Sequence, residues 1–401
     1  MSVIADIAVP RSLLADPDRF GGVPRGDCLV GDLVLQDGRA AGLVARGGDG
    51  PVRLVLPRLT ECHVHLDKCH TVHRLPSVGG DLRAAIEAQS ADKRNWTADD
   101  IAARAGRGID ELAAAGCGLV RSHVDWREGA EPPLAWRVLD ALRADAPLNL
   151  QLSALLSPGD IAEGPLDAIA RQVARSGGAL GCFVFDQDGL DTALRLLFAA
   201  ADRHGLPLDF HVDEGLEPGL DGLSRIARIA LETGFDGPIL CGHTCSLMNL
   251  EGDTLARRLD AVARAGICVA TLPTTNLYLQ DRDGGTPDRR GLTRVRELRA
   301  AGIPTLVGTD NVRDAFCPVG RHAPLAALSL AVLAAHLDPP LGDHLPMIAT
   351  DAARALGAAP VFVDRAAARD LLVADVPTVP DLLAGGAGVR PLDTLTTGDP
   401  A

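Results

Sequence analysis

Short apolar segments alternate with segments of helical period through most of the chain. Eight runs have the length and apolar content of buried strands, at residues 55–59, 118–125, 148–156, 179–185, 206–212, 238–243, 267–272 and 304–310. Between them, apolar residues recur at helical spacing over 99–115, 133–144, 166–176, 190–204, 223–233, 255–265 and 292–301. Strands that alternate with helices in this way predict an α/β fold, a (β/α)8 barrel of TIM type.

The two chain ends depart from this alternation. Residues 23–45 predict a hairpin that turns at Asp37-Gly38, and another short apolar strand lies within 370–376. We therefore expect a small flanking β-sandwich built from both ends, with residues 1–57 and 359–401 on either side of a barrel at 58–358. A doubly wound open sheet is the alternative, but the first predicted strand lacks the Gly-rich phosphate turn of that fold.

Composition and charge narrow the classes of partner. The 401 residues exceed the ~250–300 at which one core stops growing, in agreement with a large barrel and a smaller unit. The net charge of −14 argues against a nucleic-acid polymer or an anionic membrane as partner. The chain has no apolar run of ~18 residues, and its first residues do not form a basic segment followed by an apolar one. We therefore expect a cytoplasmic protein.

Polar residues close several of the predicted strands. The first strand leads into His63 and His65, which project to the same side because side chains two apart on a strand share a face. Similar positions elsewhere hold His211, Asp213, Glu214, His243 and Asp310. Any one of these is equally explained as a hydrogen-bonded core histidine or a helix-capping aspartate. Together, at the carboxyl ends of barrel strands, three imidazoles and a carboxylate favour a zinc or iron site.

These segments carry a resemblance that spans nearly the whole chain. The matching motifs, in order, are His63-Val-His65-Leu-Asp, Arg-Ser-His123-Val-Asp125, Asp-Phe-His211-Val-Asp-Glu214, Gly-His243-Thr and Thr-Asp310-Asn-Val-Arg-Asp. In this order they resemble the cytosine deaminase branch of the amidohydrolase superfamily. The resemblance implies a distorted barrel with one divalent metal ion. Barrels of this family commonly associate, so a homo-oligomer is also expected.

The resemblance also implies roles for individual residues. His63, His65, His211 and Asp310 correspond to the metal ligands of that family. Glu214 corresponds to its proton shuttle, and His243 to the histidine that polarises the substrate or the attacking water. The fourth predicted strand has no lysine, so the carbamylated lysine of the two-metal branches is missing and a single zinc or iron ion is expected.

The chemistry of these side chains agrees with hydrolytic deamination. A metal ion lowers the pKa of its water from ~15.7 toward ~7, and Asp310 is suited to accept the proton of that water. Glu214 can protonate a ring nitrogen and then the leaving amine, and His243 can stabilise the developing oxyanion. We therefore expect a metal-dependent hydrolytic deaminase that acts on a small planar heterocycle, a cytosine-like pyrimidine or a related ring.

The resemblance is weaker in the expected substrate pocket. Related cytosine deaminases have a glutamine where Ser157 stands and a second aspartate where Asn311 stands. The segment Asp310-Asn-Val-Arg-Asp314-Ala-Phe316, with Lys68, is closer to the N-isopropylammelide amidohydrolases, which remove an alkylamine from a hydroxylated triazine. Alternatives to a cytosine-type deaminase are therefore such a triazine amidohydrolase, a cyclic amide hydrolase, or a barrel that only binds a ligand or metal.

Four further residues have two readings each. Lys68, one of only two lysines, either neutralises an anionic substrate or pairs with Asp67 or Asp125. Trp126 and Phe316 are candidate flat walls for a planar ring, although an aromatic side chain at a barrel mouth is also often packing. His123 is expected behind the metal ligands rather than among them. The expected substrate contacts are therefore Lys68, Trp126, Ser157, Asn311, Asp314 and Phe316.

Overall fold

The computed structural model describes residues 1–76, 78–127, 129–282, 285–287, 289 and 291–395. Its strands are β1 (Ser2–Pro10), β2 (Val23–Arg25), β3 (Cys28–Gln36), β4 (Arg39–Val44), β5 (Arg53–Pro57), β6 (Leu59–Val64), β7 (Cys117–Asp125), β8 (Asn149–Leu156), β9 (Ala179–Val184), β10 (Leu208–Val212), β11 (Ile239–His243), β12 (Ile267–Thr271), β13 (Thr305–Val307), β14 (Leu371–Ala374) and β15 (Val389–Pro391).

The helices follow the strands of the central part of the chain and also flank it. They are α1 (Pro17–Phe20), α2 (Leu82–Lys93), α3 (Ala98–Ala114), α4 (Leu134–Leu142), α5 (Pro158–Glu163), α6 (Leu166–Arg175), α7 (Leu190–His204), α8 (Gly222–Thr233), α9 (Gly252–Arg264), α10 (Pro273–Leu279), α11 (Val295–Ala300), α12 (Pro324–Ala334), α13 (Thr350–Ala355) and α14 (Val379–Leu383). Single-turn and longer 3-10 segments lie at Arg11–Leu13, Val72–Arg74, Cys245–Asn249, Leu341–Ile348, Ala368–Asp370 and Leu392–Leu395.

Strands β6 to β13 form the barrel. They pair in sequence order, and every pair is parallel. The first and last strands meet through a bridge between Val64 and Asp310, where the Asp310 amide donates to the His63 carbonyl at 2.9 Å. The predicted (β/α)8 barrel of TIM type is therefore confirmed, and its carboxyl-end rim gathers the polar strand ends at one face.

The two chain ends meet in a separate seven-stranded sheet. Its order is β15-β14-β5-β1-β3-β2, with β4 also paired to β3. The predicted hairpin is confirmed, since Gln36 pairs with Arg39 across Asp37 and Gly38, whose φ angles are 51° and 72°. Two positive φ values are typical of a type I′ turn, which matches the twist of the strands. Residues 396–401 of the predicted C-terminal segment lie outside the described residues.

The first predicted barrel strand is wrong in its placement. The run at 55–59 is divided between β5, which belongs to the flanking sheet, and β6, which is the barrel strand. Thr60, Glu61 and His63 of β6 are all buried, so this strand shows no apolar pattern that marks its length. Helix α2 was not predicted either, although Asp81 caps it by accepting from the Ala84 amide at 2.9 Å.

One observation concerns membranes. Among the described residues, no helix combines the length and apolar character needed to cross a bilayer.

Candidate active site

The expected site residues converge at the rim where the parallel strands end. His63 lies in β6 and His65 directly after it, His211 lies in β10, and His243 is the last residue of β11. Asp310 follows β13. All five side chains are buried. The barrel therefore brings residues that are up to 247 positions apart in sequence into one cluster, because parallel strands deliver their carboxyl ends to the same face.

Nitrogen and oxygen atoms face one another inside this cluster. The Nε2 atoms of His65 and His211 lie 3.0 Å apart. Asp310 Oδ1 lies 3.4 Å from His65 Nε2 and 3.6 Å from His63 Nε2. Burial, and then the charges of neighbouring groups, hold the pKa of His63, His65 and His211 well below the ordinary value. The three rings are therefore neutral at pH 7 and keep a lone pair for a ligand.

The donor set fits a divalent metal ion. Among the residues that the structure describes, both ring nitrogens of His63 and both carboxylate oxygens of Asp310 are buried and have no hydrogen-bond partner. Such unpaired polar atoms cost free energy unless a ligand satisfies them. His63, His65, His123 and His211 bring ring nitrogens within 4.8 Å of one another. His63, His243 and Asp310 bring ring nitrogens and a carboxylate oxygen equally close in a second, overlapping group. Imidazole and carboxylate together suit zinc or iron.

A buried ion-pair network supports His123 beside this cluster. Its ring centroid lies 4.1 Å from that of His63, and its Nε2 lies 3.1 Å from Asp209 Oδ1. Asp209 Oδ2 accepts from Arg121 Nη1 at 3.0 Å, and Arg121 also donates to the Gln151 side chain. The structure thus places a carboxylate next to His123, as is common for histidines at metal sites, and also brings His123 within ligand distance of the other imidazoles.

Glu214 and Asp310 are two carboxyl groups with raised pKa values. Burial is the main cause for both, and the nearby Asp310 raises the pKa of Glu214 further. The positive charge of Lys68 acts in the opposite direction on both groups. Among the described residues, Glu214 Oε1 is buried without a hydrogen-bond partner, and His243 Nδ1 lies 3.4 Å from it. A raised pKa suits Glu214 to donate a proton to a substrate, whereas a metal ion bound at Asp310 would favour the charged form of that carboxylate.

His243 is held by an amide on the following helix. Asn276 of α10 donates from Nδ2 to His243 Nδ1 at 3.1 Å. With the Asn276 amide in this orientation the ring proton lies on Nε2, which is buried and has no partner among the described residues, so the ring offers a donor to a ligand. Glu214 Oε1 lies 3.4 Å from the other ring nitrogen, Nδ1. His243 and Asp310 have left-handed φ angles of 68° and 58°. Such strained conformations cost about 1–3 kcal/mol and cluster at functional sites.

Asp213 and Asp314 hold loops rather than lining the cavity. Asp213 accepts from the amides of Gly222 and Leu223 at the start of α8 and from the Ser246 hydroxyl. Asp314 accepts from Asn311 Nδ2 at 2.6 Å and from two backbone amides of its own loop. Burial raises the pKa of each carboxyl to about 6. Asp314, which we expected to contact substrate, thus lies behind Asn311.

A cavity of about 410 Å³ opens in front of the cluster. Its wall includes His65, His211, Glu214 and His243, so it reaches the candidate metal site. Of the expected substrate contacts, the structure brings Lys68, Ser157, Asn311 and Phe316 to this wall. The Ser157 hydroxyl, however, already donates to Asp160 Oδ2 at 2.6 Å as part of a helix capping box.

Trp126 does not face this cavity. Its ring is fully buried against Trp136 at a centroid distance of 5.1 Å, and its Nε1 donates to the Gly129 carbonyl. It lines a neighbouring cavity of about 370 Å³ instead. Strand alternation explains this direction, because Asp125 faces the main cavity and the next residue must point the other way.

Several cavity residues were missed by sequence reasoning. They are Gln89 and Lys93 of α2, Arg127 after β7, and Phe183 of β9. Lys93 carried a weak signal, since Lys68 and Lys93 are the only lysines in the chain. Asn276 and Gln280 were also missed; Gln280 donates to the Glu214 carbonyl at 3.0 Å. Neither lies at the end of a predicted strand, so no sequence pattern marked them.

The fold and site together define a (β/α)8 barrel with a histidine-rich metal site. Residues 181–360 match the model of the amidohydrolase family. The chain is 34% identical to pterin deaminase from Rhizobium rhizogenes over 355 residues, which cover 84% of this chain and 78% of the relative. It is 22% identical over 377 residues to N-isopropylammelide isopropyl amidohydrolase from Pseudomonas sp. (strain ADP), with 89% and 87% covered.

A solved structure has the same fold. The 5-methylcytosine deaminase from Klebsiella pneumoniae superposes with a TM-score of 0.78 at 24% identity and covers 97% of this chain and 94% of that chain. The chain belongs to the amidohydrolase family. It is accordingly a hydrolase that acts on carbon–nitrogen bonds, and its family implies a divalent metal ion. The resemblance to this superfamily that the motifs indicate is confirmed.

Proposed function

We propose that this protein is a metal-dependent hydrolytic deaminase of a small nitrogen heterocycle, with a pterin as its foremost substrate. One zinc or iron ion would be held by His63, His65, His211 and Asp310. The observation that carries the proposal is the set of buried imidazole and carboxylate atoms without hydrogen-bond partners among the described residues, beside a cavity whose wall includes Glu214. A binding-only barrel would have no need of an acid placed there.

The choice of substrate class rests on two relatives. The relative at 34% identity is a pterin deaminase, and the one with a solved structure is a 5-methylcytosine deaminase. Pterin and cytosine both carry an exocyclic amine on a ring carbon that is double-bonded to a ring nitrogen. Attack by water at that carbon releases ammonia and leaves a carbonyl, so the same side chains serve either ring.

The side chains of the chain itself supply the proton transfers. When bound, the metal ion lowers the pKa of a water molecule toward ~7 and so provides hydroxide at neutral pH. Asp310 accepts one proton of the attacking water. Glu214 protonates the ring nitrogen, takes a proton back from the hydroxyl group of the tetrahedral adduct and gives it to the amine, which leaves as ammonia while the carbonyl forms. The proton held by Asp310 then returns to Glu214. His243, whose Nε2 carries the proton, donates to the oxygen that gains charge during the attack.

The wall of the cavity suggests how a planar ring would be held. Phe316 offers a flat apolar face, and Lys68 Nζ lies 5.8 Å from the centroid of that ring. Asn311, which Asp314 orients by accepting from its amide, offers a carbonyl oxygen to a ring N–H. We propose Lys68, Asn311 and Phe316 as substrate contacts. Trp126 is not proposed as a contact, because it faces away from the cavity.

A second candidate is amine release from an alkylaminotriazine. It is favoured by the loop from Asp310 to Phe316 and by the relative at 22% identity, an isopropylammelide amidohydrolase. The catalytic groups would act in the same way, with isopropylamine leaving instead of ammonia. The two candidates differ in the substituent that the cavity accepts on the nitrogen that leaves.

The test is release of ammonia or amine by the metal-loaded protein from pterin, cytosine, isocytosine and N-isopropylammelide. We expect turnover of pterin above the others, with the deaminated ring identified by mass spectrometry. Glu214→Gln should abolish turnover because the amide cannot donate a carboxylic proton. Glu232→Gln makes the same change in an exposed glutamate of α8 and should leave turnover intact.

Each outcome separates the candidates. Isopropylamine release above ammonia release would transfer the assignment to the triazine reaction. An opened ring without free ammonia would indicate a cyclic amide hydrolase. Metal-loaded protein that is inactive on the whole panel, or equal activity in Glu214→Gln, would refute the proposed deaminase.

A further inference from the structure

Both lysines of the chain converge on one carboxylate in the cavity wall. Lys68 Nζ donates to Asp125 Oδ1 at 2.9 Å, and Lys93 Nζ donates to Asp125 Oδ2. The chain as a whole carries a net charge of −14 and has only these two lysines. Two basic side chains therefore share a single carboxylate. Burial, and then the positive charge of Lys68, hold the pKa of Lys93 well below its ordinary value, so a negatively charged ligand beside Lys93 would favour its charged form.

Helix α2 brings the second lysine to the cavity. Its residues Leu82, Ile86, Gln89, Ser90 and Lys93 all line the cavity. Their spacing of three and four residues defines one helix face, so α2 covers the cavity along its length. Gln89 and Lys93 are one turn apart, and their side chains are therefore neighbours on that face.

Gln89 has an unpaired amide in this wall. The residue is only 2% exposed, and among the described residues neither Oε1 nor Nε2 of its side chain has a hydrogen-bond partner. Leaving a buried amide without partners costs free energy in a folded protein. A polar ligand in the cavity would remove that cost by pairing with the amide.

Arg127 adds a third cation to the same wall. It follows the end of β7, is exposed, and lines the cavity. Within the described part of the chain, no hydrogen bond or ion pair engages its guanidinium. Asp160, the other carboxylate near it, is occupied by the Ser157 hydroxyl and amide. Besides Glu214, three basic side chains, Lys68, Lys93 and Arg127, thus face two carboxylates, Asp125 and Asp160, in this wall. The surplus of one basic group suits a ligand with a single negative charge.

We propose that Gln89, Lys93 and Arg127 form a subsite for a carboxylate carried by the heterocyclic substrate. The proposal rests on the proposed function and specifies its substrate as a ring with an anionic substituent. The reacting carbon would lie at His65, His211 and Glu214, while the carboxylate would accept from the Gln89 amide and from the two cations. A phosphate dianion suits the subsite less well, because Asp125 already neutralises part of the positive charge of the subsite.

The experiment compares pterin with a pterin that bears a carboxylate on its pyrazine ring. For the metal-loaded wild type we expect kcat/KM to be higher for the carboxylated compound by at least about tenfold, the effect of one charge-assisted hydrogen bond. Lys93→Gln and Arg127→Gln should each reduce this ratio about tenfold. The control Arg137→Gln removes an exposed cation of α4 outside the cavity and should leave the ratio unchanged.

Two results would overturn the subsite. If both compounds are deaminated equally well, or if the ratio survives both substitutions, the subsite is refuted while the deaminase function stands. If neither compound is deaminated, the proposed function fails, and equilibrium titration of the same two compounds with the wild type decides the subsite. A tenfold tighter binding of the carboxylated compound that is lost in both variants would still support it, and equal binding would refute it.

Gln89→Leu separates a ligand contact from a structural role. Because leucine removes the unpaired amide at similar size, we expect the free energy of unfolding of the metal-free protein to stay equal or rise. The preference for the carboxylated compound should fall. A lower free energy of unfolding would show that the fold itself needs the amide and would count against its role in the subsite.

Discussion

Replacing Glu61 by glutamine tests how the barrel holds the ligand-bearing ends of its first and last strands. Glu61 lies in β6 and is fully buried. Its Oε1 accepts from the His63 amide at 2.9 Å, and both carboxylate oxygens accept from the Thr309 amide, at 3.2 and 3.1 Å. One carboxylate thus joins the backbone beside two proposed metal ligands, His63 and Asp310.

The expected magnitude comes from these contacts. A glutamine can keep its oxygen on the His63 amide, but its NH2 group then replaces Oε2, which lies 3.1 Å from the Thr309 nitrogen, so that donor faces donor. Burial raises the pKa of Glu61 to about 7, so its charge is not counted in full. The cost is that of weakening the pairing of a buried N–H, and Glu61→Gln should lower the free energy of unfolding by ~1–3 kcal/mol. Loss of a group that supports metal ligands typically weakens metal affinity ~10–100-fold, and we expect a loss in that range.

The assay has two parts. Urea unfolding of the metal-free protein measures the change in stability, and competition with a chelator measures the zinc affinity. Glu232→Gln, in an exposed glutamate of α8, is the control for both. A normal zinc affinity in Glu61→Gln, together with reduced stability, would refute the idea that Glu61 positions the ligands. Unchanged stability would refute the hydrogen-bonding argument itself.

Three further predictions follow from buried or paired groups. Arg121→Met should cost ~3–5 kcal/mol in urea unfolding because it leaves Asp209 buried without its cation, and adding Asp209→Leu should recover part of that loss; full additivity of the two losses would contradict this. The hydrogen bond from His322 is the main cause that lowers the pKa of Glu111 from 4.5 to about 2, so folding favours the charged form and stability is lost as pH falls below about 5. Glu111→Gln should therefore show a smaller shift of the urea midpoint between about pH 5 and about pH 3.5, and an equal shift would rule this out. Asn276→Leu should lower kcat by up to ~100-fold with little change in KM, because its amide fixes the donor nitrogen of the proposed catalytic histidine; a change confined to KM would contradict that role.

The sequence was informative wherever a rule of geometry connects position to structure. Asp37-Gly38 predicts a two-residue turn because both residues tolerate positive φ, and the turn is there. The sequence alone groups four residues, because parallel strands in a barrel end at one face. They are His63, His65, His211 and Asp310. Their mutual distances confirm that they lie together, although their roles as ligands remain a proposal.

The sequence was less informative where direction or distance decides the role. Trp126 follows a strand end as closely as the ligands do, but strand alternation turns it toward Trp136 rather than the cavity. Ser157 reaches the cavity, yet its hydroxyl is used by the capping box of its own helix. Helix α2 has only two large apolar residues, Leu82 and Ile86, and they share the cavity face with polar side chains, so its pattern resembled that of a surface segment.

The proposed catalytic residues and the residues proposed to select the substrate lie on different elements, and this separation affects how the protein selects a substrate. The proposed metal ligands and proton donors lie on or next to barrel strands, whose positions are fixed by parallel pairing with both neighbours. Gln89 and Lys93 lie on α2, a helix in the segment between β6 and β7 that adds no strand to the barrel. Substitutions on the cavity face of α2 should therefore change which ring substituent is accepted without moving His65, His211 or Glu214. For the same reason, substrate selection and metal affinity should vary independently: variants of α2 should alter relative kcat/KM values at constant zinc affinity, whereas Glu61→Gln should weaken zinc binding and lower the turnover of every substrate alike.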